Sequence, residues 1–301
     1  MTHPIIQNLD TLYDAVRSED DTDRAYRYND KFLSNHRIRL IPYDFSKPPP
    51  NDTKPMMFFT RYSAFSDKYP IDLKAFDSPE DSELFLRYHN FDPKGSFMSP
   101  MSRTRYITDY LLEWTIGGQI PRKLPLGSMD LLPSRSISHV CLPHYLLSNK
   151  DYRWDIENRH GWNSMIFEYN KVLPHVIILS THFKNVANGT ILHGELELII
   201  TAMNARAKQP LVEEEDEDDE SNLLFAGEKR FPVLMVSMVA PSHARILHAC
   251  MNEGELLIRL SNLYNFEKKV PSLFDSFSSW LLSYPQSEPD FLSPQTHLPM
   301  R

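Results

Sequence analysis

The chain has 301 residues, 41% of them apolar, with 17 Phe, 14 Tyr and 4 Trp, which is enough to fill a core and excludes global disorder. The net charge of −8 comes from a single run, "EEEDEDDE" (213–220); without those eight acids the remainder carries 32 acidic against 32 basic residues, so no body-wide field exists to steer nucleic acid. Two cysteines exclude a disulfide-held secreted scaffold, and no apolar stretch is long enough to span a bilayer.

In chain order, Ile5, Leu9, Leu12, Tyr13 and Val16 recur at helical spacing and predict an amphipathic helix over 4–17. "RIRLIP" (37–42) reads as a short strand, "DFSKPPPNDTKP" (44–55) as a proline-rich linker, and "MMFFTRY" (56–62) as a strand. Two helices open on Ser-Pro: one from Ser78, and one from Ser99 with a stripe of Tyr106, Ile107, Tyr110, Leu111 and Trp114. Residues 117–135 read as a long connection. "HVIILSTHF" (175–183) is strand-like, 191–208 is a helix with Leu196, Ile199, Ile200, Met203 and Ala207 on one face, and "FPVLMVSMV" (231–239) is a buried strand. Residues 242–262 read either as helix then strand or as a hairpin turning at "NEGE"; the short connection and "GELLIRL" favour the hairpin. A helix in "VPSLFDSFSSWLLSYP" follows.

These elements imply an α/β (α+β) class: an antiparallel or mixed sheet flanked by helices, in a single compact domain with an elaborated N-terminal half. The expected organisation is an N-terminal helical and extended segment over 1–43, the linker 44–55, and a globular domain over 56–284 that contains a disordered acidic loop at 211–222. A loose tail, 285–301, completes it. The N-terminus has no secretory leader, so the expected location is intracellular, cytoplasmic or nuclear.

The chemistry-bearing residues are few. In "HGELELIITAMNARA" (193–207), Glu195 and Glu197 lie about 200° apart on a helix and point to nearly opposite faces. His193 and Glu197 share a face and could hold two positions of a metal shell, which is too few by itself. The zinc-protease pattern "HExxH" is not met, and acids in a first turn have an ordinary explanation in the helix dipole. Asp155 and Glu157 in "RWDIENRHGW" could pair on a cation, or line a solvated strand between arginines. His139, Cys141 and His144 in "HVCLPH" have no matching downstream pair. No nucleophile elbow, phosphate loop or dinucleotide-binding glycine pattern is present. An aromatic-lined pocket for an apolar small molecule near Tyr106, Tyr110, Trp114 or Trp154 is a third expectation.

The order of helix with acid, three strands, then helix over 190–285 resembles the core of the PD-(D/E)XK nuclease-like fold. That resemblance implies an acid on the helix, at Glu195 or Glu197, acting with acids on the strands to hold Mg²⁺. "HARILHAC" supplies no Asp and "ELLIRL" no acid-x-Lys, so the site it implies is degenerate. The stretch from His193 through "FPVLMVSMVAPSHARILHACMNEGELLIRLSNLYNF" also resembles uncharacterised proteins of filamentous fungi, which bring no activity. The expected function is a non-catalytic intracellular interaction or accessory protein of unknown role with no cofactor; its partner is unknown, with another protein the candidate, nucleic acid not supported and no membrane. The alternative is a metal-dependent nuclease-like enzyme using Mg²⁺.

Overall fold

A computed structural model of the chain describes residues 4–18, 28–48, 55–70, 99–116, 131–140, 145–148, 162–169, 173–211 and 223–287. The element order is α1 (Pro4–Ser18), α2 (Asp30–Asn35), β1 (Ile38–Pro42), β2 (Phe59–Thr60), α3 (Phe65–Lys68), α4 (Pro100–Ile116), β3 (Ile137–His139), α5 (Tyr145–Ser148), β4 (Trp162–Tyr169), β5 (Val176–Asn185), α6 (His193–Ala207), β6 (Val233–Ala240), β7 (His243–Asn252), β8 (Glu255–Leu260), β9 (Tyr264–Asn265), α7 (Pro271–Leu281) and β10 (Tyr284–Pro285).

Among the described residues the main sheet has eight strands in the order β1-β8-β7-β6-β5-β4-β3, with β9 paired to β7 at the side. It is mixed. β5 and β6 run parallel, joined by α6 in a strand-helix-strand crossover, and β1 runs parallel to β8; the other pairs are antiparallel. The β7–β8 connection is the hairpin. Its two central residues, Glu253 and Gly254, both have positive φ, at 52° and 80°. A two-residue turn with that backbone matches the twist of the strands it joins.

Because side chains alternate along a strand, each strand splits between two cores. Val176 and Ile178 of β5, with Val233 and Met235 of β6, join one core beneath α1, α2 and α6. Ile177 and Leu179, with Leu234, Val236 and Met238, join the other beneath α4 and α7. The result is a helix-sheet-helix sandwich in which α1 forms an outer layer over α6.

That outer layer accounts for a departure from the expected single apolar stripe on α6. Every residue of α6 except His193 and Glu197 is buried. Its inner side meets the sheet and its outer side meets Ile6, Leu9, Leu12 and Val16 of α1, all buried. Burying four such side chains contributes roughly 1.5–3 kcal/mol each before the entropy of ordering the helix is subtracted. Asn204 Nδ2 donates to Asp10 Oδ1 at 2.8 Å and Lys208 pairs with the same carboxylate, which pins α1 at the far end of α6.

On the opposite side, Ser99 caps α4 by accepting from Ser102 N at 3.1 Å, as its Ser-Pro opening predicts. The buried threonines of α4 bond back to the preceding turn and also outward, Thr108 to Thr181 of β5 and Thr115 to Ser278 of α7, both at 2.8 Å. The expected strand over 56–62 is reduced to the two residues of β2, which pair with β10. The helix expected from Ser78 and the acidic loop over 212–222 lie outside the described residues. No helix among the described residues is long and apolar enough to cross a membrane.

Candidate functional site

In a sheet with parallel neighbours joined by a crossover helix, the carboxyl ends of the strands and the helix N-terminus meet at one edge, where ligands collect in open α/β sheets. Here that place lies at the ends of β5 and β6 below the first turn of α6. Register aligns Ser180 of β5 with Ser237 of β6 and Ser237 with Arg245 of β7. The three side chains share the face toward α6, and His182 is one pleat further along β5.

Glu195 descends from the first turn of α6 onto this polar row. Its Oε1 accepts from Ser237 Oγ at 2.7 Å and from Arg245 Nε at 2.8 Å. Its Oε2 accepts from the backbone N–H of Leu192 at 2.9 Å and from Arg245 Nη2. Arg245 Nη1 donates to the Thr190 carbonyl at 2.7 Å. Both side chains of the pair are 0% exposed. Burial works against the charge of Glu195, but the guanidinium, His182 and Ser237 outweigh it and hold the carboxyl below its ordinary pKa. The pair is bidentate, charge-assisted and complete, so both oxygens already have their partners.

His182 hydrogen-bonds Ser180 Oγ through Nε2 at 3.0 Å. Burial drives its pKa down to about 4, with Glu195 and Arg245 acting in opposite senses. It therefore sits in the cluster as a neutral imidazole.

Glu197 points elsewhere, as the 200° separation requires. His193 Nε2 lies 3.2 Å from Glu197 Oε2, with side chains 28% and 15% exposed. On its other side His193 Nδ1 meets Tyr28 Oη at 2.7 Å, and the two rings stack with centroids 5.3 Å apart. This is a clamp between the segment leading into α2 and the start of α6. The structure therefore brings His193 and Glu197 together and separates both from Glu195.

The remaining sequence candidates fall elsewhere. Asp155, Glu157, Trp154, Cys141 and His144 lie outside the described residues. His139 is on β3, with its ring 5.3 Å from that of Phe167. Tyr110 and Trp114 are packed into the core against Phe274, at 4.9 and 5.4 Å between ring centroids. Trp114 Nε1 is answered by Asp275 at 2.9 Å. Tyr106 is half-buried.

Magnesium demands several oxygen ligands in near-octahedral geometry. Glu195 has no oxygen to offer without releasing Arg245, and Glu197 stands beside His193 alone among the candidates. Among the described residues no three His, Cys, Asp or Glu side chains are gathered so as to hold an ion. Among the described residues, Glu195 and Glu197 as placed do not make such a shell.

Sequence reasoning missed Arg245, the partner that decides the role of Glu195. The available signal was an arginine amid the apolar alternation of "HARILHAC", a position that buries a charge unless an acid is waiting. A second buried pair was missed for the same reason. Arg206 Nη1 donates to Glu168 Oε2 and to Gln209 Oε1, both at 2.7 Å, and Arg206 Nη2 donates to the Leu173 carbonyl at 2.6 Å. No protein-family model, curated protein or solved structure matches the chain.

Proposed function

We propose that the chain is a non-catalytic accessory protein that works by contacting another protein through its surface. The observation that carries this reading is the state of Glu195: the acid best placed for chemistry is sealed from solvent and spent on Arg245, Ser237 and the Leu192 amide. A catalytic carboxylate has to reach a substrate, a water or a metal, and this one serves to lock the crossover helix to the sheet. The sparse cysteines favour a reducing compartment, the cytosol or nucleus.

The second reading is a nuclease-like enzyme using Mg²⁺. It is favoured by one observation, the order α6-β6-β7-β8-α7 with α6 and α7 on opposite faces of the meander and an acid of α6 directed at the sheet. Calorimetric titration of Mg²⁺ and Mn²⁺ into the full chain and into Glu195→Gln and Glu197→Gln separates the two, paired with a cleavage assay on single- and double-stranded oligonucleotides. The accessory reading expects no saturable heat that depends on either acid and no cation-dependent cleavage. Cation binding and cleavage that both vanish in a folded Glu195→Gln variant would establish the enzyme.

A further inference from the structure

On the side of the sheet that faces α4 and α7, a strap of chain, residues 55–60, lies over His248 of β7 and Arg259 of β8. Met57, Phe58 and Phe59 of the strap are buried. Four contacts hold it down. Arg259 Nη2 donates to the Pro55 carbonyl at 2.5 Å, Gln286 N donates to the Phe58 carbonyl at 2.8 Å, and β2 pairs with β10. The fourth is to the histidine: the Phe58 N–H donates to His248 Nε2 at 3.3 Å.

His248 is 0% exposed, and its other ring nitrogen, Nδ1, lies 3.3 Å from Arg259 Nη1. Both nitrogens therefore face donors. A neutral imidazole has one acceptor nitrogen and can answer one of them; an imidazolium has none. Protonation would set donor against donor at both contacts and place a second positive charge beside the guanidinium. The Phe58 ring, stacked on the imidazole at 18° with centroids 5.9 Å apart, offsets only part of that charge. His175, just before β5, is the other titratable group near the ring. Its Nε2 lies 2.9 Å from the Gln286 carbonyl, a bond in which the histidine is the donor and which survives protonation. Cys250 and Tyr43 stand near Arg259, and no carboxylate among the described residues forms an ion pair with that arginine. Burial, Arg259 and His175 together hold His248 well below the ordinary imidazole pKa.

We infer that His248 is an acid-sensitive latch: the strap of residues 55–60 lies closed on the neutral imidazole, and protonation of that ring releases it and uncovers Met57, Phe58 and Phe59. The sign follows from the two states. With the strap open the ring takes up a proton near pH 6.5, and with it closed only far below that. The advantage of the closed state is complete above that value and is lost as pH falls. Between pH 7 and 5 one such histidine multiplies the open-to-closed ratio by about 25, and His175, uncovered by the same opening, adds to that factor. The inference is independent of the reading of Glu195.

The test is hydrogen exchange of the full chain, followed by NMR at pH 7 and pH 5 and expressed as protection relative to the intrinsic rate at each pH. The Phe58 and Gln286 amides report the strap, and the Val236 amide in the middle of the sheet reports global unfolding. The strap amides should be less protected than Val236 at both values and should lose at least ~25-fold in protection at pH 5. His248→Gln keeps an acceptor for the Phe58 N–H but does not titrate, and should cut that response by about 25-fold; His248→Phe keeps a ring and serves where Gln does not fold. His182→Gln, on the opposite face beneath α6, should leave the strap response as in wild type. Strap protection that does not change with pH overturns the inference, and so does protection equal to that of Val236, which would mean that the strap opens only with the whole molecule. The full wild-type response in a folded His248→Gln variant overturns it as well.

Discussion

Replacing Glu195 by Ala would leave the Arg245 guanidinium without a counter-charge at a position with 0% exposure. Removing one partner of a buried ion pair costs about 3–5 kcal/mol, because the surviving charge stays desolvated. Ser237 Oγ and the Leu192 amide lose their acceptor at the same time, which sets the expectation at the upper end of that range. Glu195→Gln keeps an acceptor oxygen and should fall at the lower end. Set against a typical total of about 5–15 kcal/mol, either change removes a large share of stability. Glu195→Leu combined with Arg245→Met removes both charges and should recover to within about 2 kcal/mol of wild type. Glu197→Gln, on the partly exposed side of the same helix turn, should cost no more than about 1 kcal/mol. Urea unfolding followed by circular dichroism, with the slope unchanged between variants, measures all four. A Glu195→Ala variant within about 1 kcal/mol of wild type would refute the burial and pairing described here.

Stability should fall on mild acidification. Burial lowers the pKa of His182 and of His175 to about 4, and burial with the nearby Arg259 charge places that of His248 well below its ordinary value. Each histidine takes up a proton in the unfolded chain near pH 6.5 but not in the folded one, so its contribution is present above that value and is lost as pH drops toward 4. Between pH 7 and 5 the loss should be roughly 2 kcal/mol per histidine, and His182→Gln should flatten the slope; equal urea midpoints at the two pH values would contradict it. Gly254, at φ 80°, and Gly189, at φ 77°, should each lose about 1–2 kcal/mol on replacement by Ala. The added methyl at Gly254 meets only Asn8 Nδ2 at 3.5 Å and Arg37 Nη1 at 4.0 Å, and that at Gly189 meets nothing, so similar losses in thermal unfolding confirm a backbone origin.

Elements with a local signature were legible. The Ser-Pro start of α4, the apolar run of β6, the strand-like "GELLIRL" of β8 and the "NEGE" turn all carry their information within a few residues. Periodicity also separated Glu195 from Glu197 correctly, since residues two apart point to nearly opposite faces of a regular helix. What local pattern could not give was the environment of α6. Leu196, Leu198, Ile199 and Ile200 surround the helix rather than forming a stripe, which marks a helix covered on all sides, but the cover is α1, nearly 190 residues earlier. The same distance hid the role of Glu195. A first-turn acid is ordinarily a solvated helix start, and only the pairing of β6 with β7 brings Arg245 beneath it. The stacking of Arg135 on Tyr62 and Tyr284 likewise draws on three separate segments, so no window of sequence contains it.

The parallel pairing of β1 with β8 has a consequence for synthesis. Ile38 pairs with Leu256, so the first strand to leave the ribosome waits for 218 further residues before its partner exists. At translation rates of about 5–20 residues per second that interval is roughly 10–45 seconds. Throughout it the backbone of β1 and the side chains of Ile38 and Leu40 have no edge to join. Chains stalled before Glu255 should therefore show unprotected amides at 38–41 and bind chaperones, while release of the completed β7–β8 hairpin should end that exposure in one step.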